Sequence, residues 1–208
     1  HQSSTFIILV ELFKIVSDRL EQVHKGLGEM QVLATGVGDL KKVLSNVKAK
    51  GILGEYQLNN LLDQILTIEQ YSINVKTKKG SNDNVEFAIK LPGRDVSEGF
   101  VWLPIDSKSP TEDFQVLQDA YEQAEIGLIE STKKQLVIKI KSFAKDIRDK
   151  YLDPPNTTDF GVMFLPYEGL YAEVLRIPGL FEQLQKEYKV IITGPTTLSA
   201  LLNSLQMG

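Results

Sequence analysis

The hydrophobic positions change period several times along the chain, and each change marks an element. Leu9, Val16, Val23, Met30, Val37 and Leu44 recur every seventh position, with Phe13, Leu20, Leu27 and Ala34 as the complementary series. This alternating three- and four-residue spacing is that of a coiled-coil seam. Gly26, Gly28, Gly36 and Gly38 weaken it, each by about 1 kcal/mol against alanine in a helix interior. The pattern predicts a long coiled-coil-like helix within residues 1–46, either a dimerisation or spacer segment or a helix packed on its own domain. At "KKVLSNVKAKG" the seam dissolves into lysines and Gly51, which predicts a hinge into a second domain over residues 47–208.

Past the hinge the periods alternate. Leu58, Leu61, Leu62, Ile65 and Leu66 form one helical face. "YSINVKTKK" and "NVEFAIKLPG" alternate with period two around "SND", which predicts a hairpin, and "FVWLPIDSK" reads as a third strand. Helical spacing runs from Thr111 to Tyr151, with Ser109 or Thr111 as caps and Gly127 as a break. "FGVMFLP" is an apolar run suited to a strand covered on both faces. Helical "EGLYAEVLR" and "GLFEQLQKEY", a strand at "KVIIT" and a last helix at "GPTTLSALLNSL" complete the series. The order predicts an α/β fold with a mixed central sheet flanked by helices.

Composition narrows the chemistry. The 208 residues are 42% hydrophobic and 24% charged, with a formal net charge of −4, which fits a globular protein rather than one coated in positive charge. Without cysteine there is no disulfide or thiolate chemistry, and a reducing, cytoplasmic setting is expected. With only His1 and His24, a histidine-built zinc site is excluded in practice, and a serine triad has no suitable base. The apolar run from Phe6 is broken by Glu11 and Lys14 and is too short to span a bilayer. The start at His1 suggests a piece of a longer protein.

The third strand ends unusually. Alternate residues of a strand share a face, so Asp106 and Lys108 of "IDSK" aim a carboxylate and an ammonium at one spot. That arrangement is either a half-solvated ion pair at a strand end or part of a site holding a divalent metal beside a lysine. Mg²⁺ takes oxygen ligands and uses one or two carboxylates plus waters; a neighbouring lysine can orient the attacking water or steady charge on a phosphate. On the adjacent strand Glu86 shares a face with Ala88 and Lys90, while Glu55 follows Gly54 in the preceding helix. Three acids and a lysine on helix, hairpin and third strand form the layout of the PD-(D/E)xK nuclease core.

Longer blocks extend the likeness. "LSNVKAKGILGEYQL", "VEFAIKLPG", "LPIDSKSP", "AKDIRDKYLDPP", "TTDFGVMFLPYEGLYAEV" and "ITGPTTLSALLNSLQMG", in this order, closely resemble the RmuC family over roughly residues 27 to 208. The resemblance implies a restriction-endonuclease-like core, a role in DNA recombination, and a membrane helix or coiled coil ahead of the core in the parent protein, which would tether it to the inner membrane. It implies Glu86, Asp106 and Glu55 as ligands of Mg²⁺ or Mn²⁺, Lys108 as the residue positioning water, and no small-molecule cofactor. Many relatives carry Pro-Asp where this chain has Val85-Glu86, so the longer glutamate must adjust the coordination geometry. The expected partners are DNA and, through the N-terminal helix, a second copy of the chain.

The remaining features admit plain structural roles as well. Lys48, Lys50, Lys76, Lys78 and Lys79 are either phosphate contacts, each adding to a salt-dependent affinity, or solvated surface. The long helix carries further lysines that permit the same two readings. Glu168 follows a buried strand, where α/β proteins often collect ligands, but a helix-start acid is equally served there. Thr196 or Thr197 reads as a helix cap, and Trp102 as a core residue or a base-stacking one. The alternative to a nuclease is a catalytically inactive module that binds DNA or protein.

Overall fold

The computed structural model describes residues 22, 25, 26, 29, 47–93 and 99–207, with the side chains of 47–50 and 207 excluded. The heptad pattern and its predicted dimerisation role therefore lie outside the described residues, except for four isolated helical positions. Lys50–Gly208 clusters as one compact unit. Among the described residues no helix is long and apolar enough to cross a membrane.

Helix α1 (Val47–Ile65) leads into strands β1 (Tyr71–Val75), β2 (Val85–Pro92) and β3 (Phe100–Ser107). Helices α2 (Thr111–Glu122) and α3 (Ile126–Tyr151) follow, then β4 (Gly161–Phe164), α4 (Glu168–Arg176), α5 (Leu180–Glu187), β5 (Val190–Thr193) and α6 (Pro195–Met207). The sheet order is β1-β2-β3-β4-β5: antiparallel through β3, parallel from β3 to β5. The change of sense has a simple cause. β1 to β3 are joined by loops that reverse the chain, whereas parallel neighbours need long crossovers, supplied here by α2–α3 and by α4–α5.

Alternation then sorts the strand residues between two cores. Phe87, Ile89, Leu103, Ile105, Val162 and Phe164 pack with Leu58 and Leu62 of α1 and Leu198 and Leu202 of α6. On the other face Met163, Val190 and Ile192 pack with Leu117 of α2, Ile140 and Ile147 of α3, and Leu170 and Leu184 of α4 and α5. The predicted mixed sheet between helices is thus present, as three layers.

Two local expectations need correction. The single helical stretch from Thr111 to Tyr151 is two helices, and the break falls at Gln123–Glu125 rather than Gly127. Ala124 adopts φ 53° there, a left-handed conformation that ends the first helix. Neither Ser109 nor Thr111 caps α2. Pro110 occupies the cap position with no side-chain hydrogen bond to the helix, and the two hydroxyls lie 3.2 Å from each other.

Candidate active site

The site forms where β3 exchanges one neighbour for another. The β2–β3 ladder closes at Phe87 opposite Ile105. One step further, Glu86 and Asp106 are on facing strands but beyond the ladder. β3 meanwhile continues beside β4, with Asp106 level with Met163 and Ser107 with Phe164, and the Lys108 amide donates to the Phe164 carbonyl (2.9 Å). Because β3 leaves its antiparallel partner here, the Ser107 amide has no ladder acceptor on that side. It donates instead to Glu86 Oε2 at 3.0 Å, which fixes the glutamate against the strand tip.

Asp106 and Lys108 do share a face, as their spacing predicts. Lys108 Nζ lies 2.7 Å from Asp106 Oδ2, and the aspartate side chain is only 2% exposed. The ammonium is the partner of a carboxylate oxygen that is otherwise shut away from water. The Lys108 ammonium also sits 5.7 Å from the centroid of the Phe143 ring.

The charges are unbalanced. Burial, the nearby Asp106 and, more weakly, Glu55 push the Glu86 carboxyl up to about 8, against the opposing pull of the Ser107 amide and Lys108. Burial likewise raises the Asp106 carboxyl despite Lys108. Burial alone would lower the Lys108 ammonium, but Asp106, Glu86 and Asp146 outweigh it and the value is raised. Two carboxylates thus share one firmly charged lysine in a low-dielectric setting, an arrangement typical of functional sites.

Glu55 is placed differently from the other two acids. It is exposed on α1, immediately after Gly54, whose Cα faces the Ser107 hydroxyl. Both buried carboxyls feel its charge. Yet among the described residues no three Asp, Glu, His or Cys groups gather closely enough to hold a metal ion. Glu55 acts on the two buried carboxyls through its charge. Helix α1 packs on the sheet face opposite Asp106, which is why its glutamate approaches only around the strand tip.

That approach depends on Gly54. A Cβ there would lie 2.8 Å from Ser107 Oγ and 3.4 Å from Pro166 Cγ. Gly54→Ala is expected to cost about 1–3 kcal/mol in urea denaturation through overpacking. Combining it with Ser107→Ala, which removes the clashing oxygen, should recover most of the loss.

Sequence reasoning missed the contribution of α3. Tyr151 lies near both acids, and burial followed by the charges of Asp106 and Glu86 pushes its phenol well up. Phe143, Asp146 and Lys150 of the same helix also reach the site electrostatically or by ring contact. Positions 143, 146, 150 and 151 share a helical face, a signal present in the sequence. Nothing in that periodicity tells which end of the helix crosses the strand tip.

The lysines divide. Lys48 and Lys50 fall in the first turn of α1, with side chains outside the described residues. Lys78 is committed: its ammonium donates to the Asp149 carbonyl (2.7 Å) near the end of α3, where the helix dipole favours a cation. Lys76 and Lys79 are exposed on the loop between β1 and β2. Glu168 proves to be structural. Its Oε1 accepts the Thr196 amide at 2.6 Å, so α4 helps to cap the first turn of α6, while Thr197 Oγ1 accepts the Gly194 amide (2.8 Å) just ahead of that turn, as a capping threonine does.

Comparison with known proteins agrees with the sequence blocks. A model described as the RmuC family matches residues 8–208. The chain is 60% identical over 196 residues to a "DNA recombination protein RmuC homolog" of Xylella fastidiosa (strain Temecula1 / ATCC 700964), covering 94% of this chain and 43% of the relative. A Chlamydia muridarum protein of the same description is 26% identical over 189 residues, covering 89% and 41%. The chain thus spans less than half the length of these curated relatives. No solved structure matches it significantly.

Proposed function

Because the chain belongs to the RmuC family, we propose that it is the nuclease-like core of a DNA recombination protein, hydrolysing DNA phosphodiester bonds with Mg²⁺ or Mn²⁺. The observation that carries this reading is the pair of buried carboxyls, Glu86 and Asp106, crowded at one strand tip with the Lys108 ammonium 2.7 Å from Asp106 Oδ2. The donor set is all oxygen, and a hard divalent cation bringing its own waters would supply the positive charge that full ionisation of the crowded Glu86 carboxyl needs. The sheet supports the same reading, since acids on β2 and β3 meet where antiparallel pairing gives way to parallel, consistent with a restriction-endonuclease-like core.

Each residue then has a part. Glu86 and Asp106 would hold the ion, which when bound supplies Lewis acidity and a water ionised near neutral pH. Lys108, kept protonated by its neighbours, would offer charge to the phosphate oxygens and a donor to the attacking water. Glu55 adds negative potential at the mouth of the site. Ser107 keeps Glu86 in register through its amide.

One observation favours a second reading, a catalytically inactive DNA- or protein-binding module. Lys108 already neutralises Asp106, and the third acid stands apart. The two readings separate in one experiment. The chain and an Asp106→Ala, Lys108→Ala double variant are incubated with labelled single-stranded, nicked and branched DNA plus Mg²⁺ or Mn²⁺. Cleavage by the chain and none by the variant is the expected result. Equal cleavage by both, or DNA binding without cleavage, removes the enzyme reading.

A further inference from the structure

On the face of the hairpin that carries Glu86 and Asp106, the opposite end of the ladder is occupied by aromatic rings. Lys90 pairs with Trp102, and Phe100 follows on β3. Phe100 and Trp102 meet edge to face with centroids 4.8 Å apart, and Phe100 is 45% exposed. Lys90 Nζ lies 5.6 Å and 5.9 Å from the two ring centroids. These rings form one wall of a groove of about 590 Å³, whose other walls include Lys76, Lys78, Lys79 and Asn156.

The groove is built rather than incidental. Three bonds anchor the loop carrying the lysines: Thr77 Oγ1 to the Tyr151 carbonyl (2.7 Å), Lys78 Nζ to the Asp149 carbonyl, and the Lys79 amide to Asp153 Oδ2 (3.0 Å). Trp102 is anchored too, its amide donating to the Asn156 carbonyl (3.0 Å) and its carbonyl accepting the Thr158 amide (2.8 Å). Lys76 and Lys79 are left exposed, so cationic groups and aromatic faces are held ready across one cleft. A preorganised surface of this kind binds without a large ordering cost.

We propose that this groove holds unpaired single-stranded DNA, with a base stacked on the exposed Phe100 ring beside Trp102 and the flanking phosphates on Lys76 and Lys79. This rests on the DNA reading above and specifies its substrate. Duplex DNA keeps its base faces stacked inward, so only an unpaired or splayed base can use an aromatic wall, whereas the cations alone would serve either form. Trp102 and Asp106 are four residues apart on the same face of β3, about 13 Å at the rise of an extended strand. A strand anchored in the groove therefore has its backbone within a few nucleotides of the acid pair.

Trp102 is the only tryptophan in the chain, so its fluorescence reports this groove directly. The 208-residue chain is titrated in EDTA with an unlabelled thymidine 20-mer while tryptophan emission is read, and in parallel with the labelled oligomer while anisotropy is read. Saturable quenching that tracks the anisotropy is expected, with weaker binding and little quenching by a blunt duplex of equal length. Phe100→Ala should weaken single-strand binding about tenfold. Lys76→Ala and Lys79→Ala should each lower the slope of log affinity against log salt by about 0.7. Anisotropy without quenching, with Phe100→Ala unchanged, overturns the groove assignment and leaves the DNA reading standing. Tighter binding of the duplex overturns the single-strand assignment. No binding of either form overturns the DNA reading and this inference with it.

Discussion

Glu86→Gln should make the protein more stable at pH 8 in the absence of divalent metal. The Glu86 carboxyl sits at about 8 in the folded protein against 4.5 for an ordinary glutamate, chiefly because burial and Asp106 oppose its ionisation. A raised value means that the folded state keeps a proton that the unfolded chain releases. The associated stability is complete below pH 4.5 and is lost as pH rises through 8. Glutamine keeps the oxygen that accepts the Ser107 amide and carries no charge, so the penalty disappears. The expected gain at pH 8 is on the order of 3 kcal/mol, or about 5–10 °C in melting temperature for a chain of this size, and it should be near zero at pH 4.5. Added Mn²⁺ should close most of the gap. Binding to the folded state alone adds roughly 2.7 kcal/mol at a ligand concentration one hundred times Kd, and the variant should gain little of it. Thermal melts at two pH values, with and without Mn²⁺, give all four quantities. A variant less stable than the parent at pH 8 would deny the crowded carboxylates, and an equal response to Mn²⁺ would deny that Glu86 is a ligand.

Asp106, Lys108 and Glu86 were legible in the sequence because a strand has a fixed two-residue period. Once β2 and β3 are recognised, the faces of their residues follow, and a buried core on one side assigns the polar set to the other. The same rule placed Trp102 on the Asp106 side. Register was less accessible. That Glu86 stands level with Asp106, one step past the last ladder pair, depends on where the hairpin turns, and residues 94–98 separate the two strands.

Contacts between elements far apart in sequence were not legible at all. How far Glu55 reaches toward Glu86 and Asp106 is set by how α1 packs on the opposite face of the sheet. Lys78 was grouped with Lys76 and Lys79 by composition, yet its ammonium serves the Asp149 carbonyl, 71 residues away. Tyr151 ends its helix and Glu168 stands in the first turn of its own, as the spacing predicts, but the nearness of Tyr151 to the acids and the bond from the Thr196 amide to Glu168 are additional. Each of these depends on the placement of helices over the sheet, which period and propensity leave open.

The second large effect is a difference between two variants. Lys108→Met alone should be strongly destabilising, whereas Asp106→Asn with Lys108→Met should be close to neutral. In the parent, the ammonium lies 2.7 Å from a carboxylate oxygen that is shut away from water. Removing only the lysine leaves Asp106 buried beside the like-charged Glu86, and breaking a buried pair on one side costs about 3–5 kcal/mol. Removing both charges leaves a neutral amide, and a methionine whose sulfur can rest near Phe143 in place of the ammonium, at a cost of about 1 kcal/mol. The two partners should therefore show a coupling energy of roughly 2–4 kcal/mol in a double-mutant cycle by urea denaturation at pH 8. At pH 5 the single variant should recover part of its loss, because the stranded aspartate takes up a proton. Equal stability of the single and double variants at pH 8 would mean that solvent already screens Asp106. A large coupling would show that Lys108 is needed to hold two carboxyls together at a strand tip before any phosphate arrives, so its loss must be compared with the double variant before reduced cleavage is assigned to chemistry.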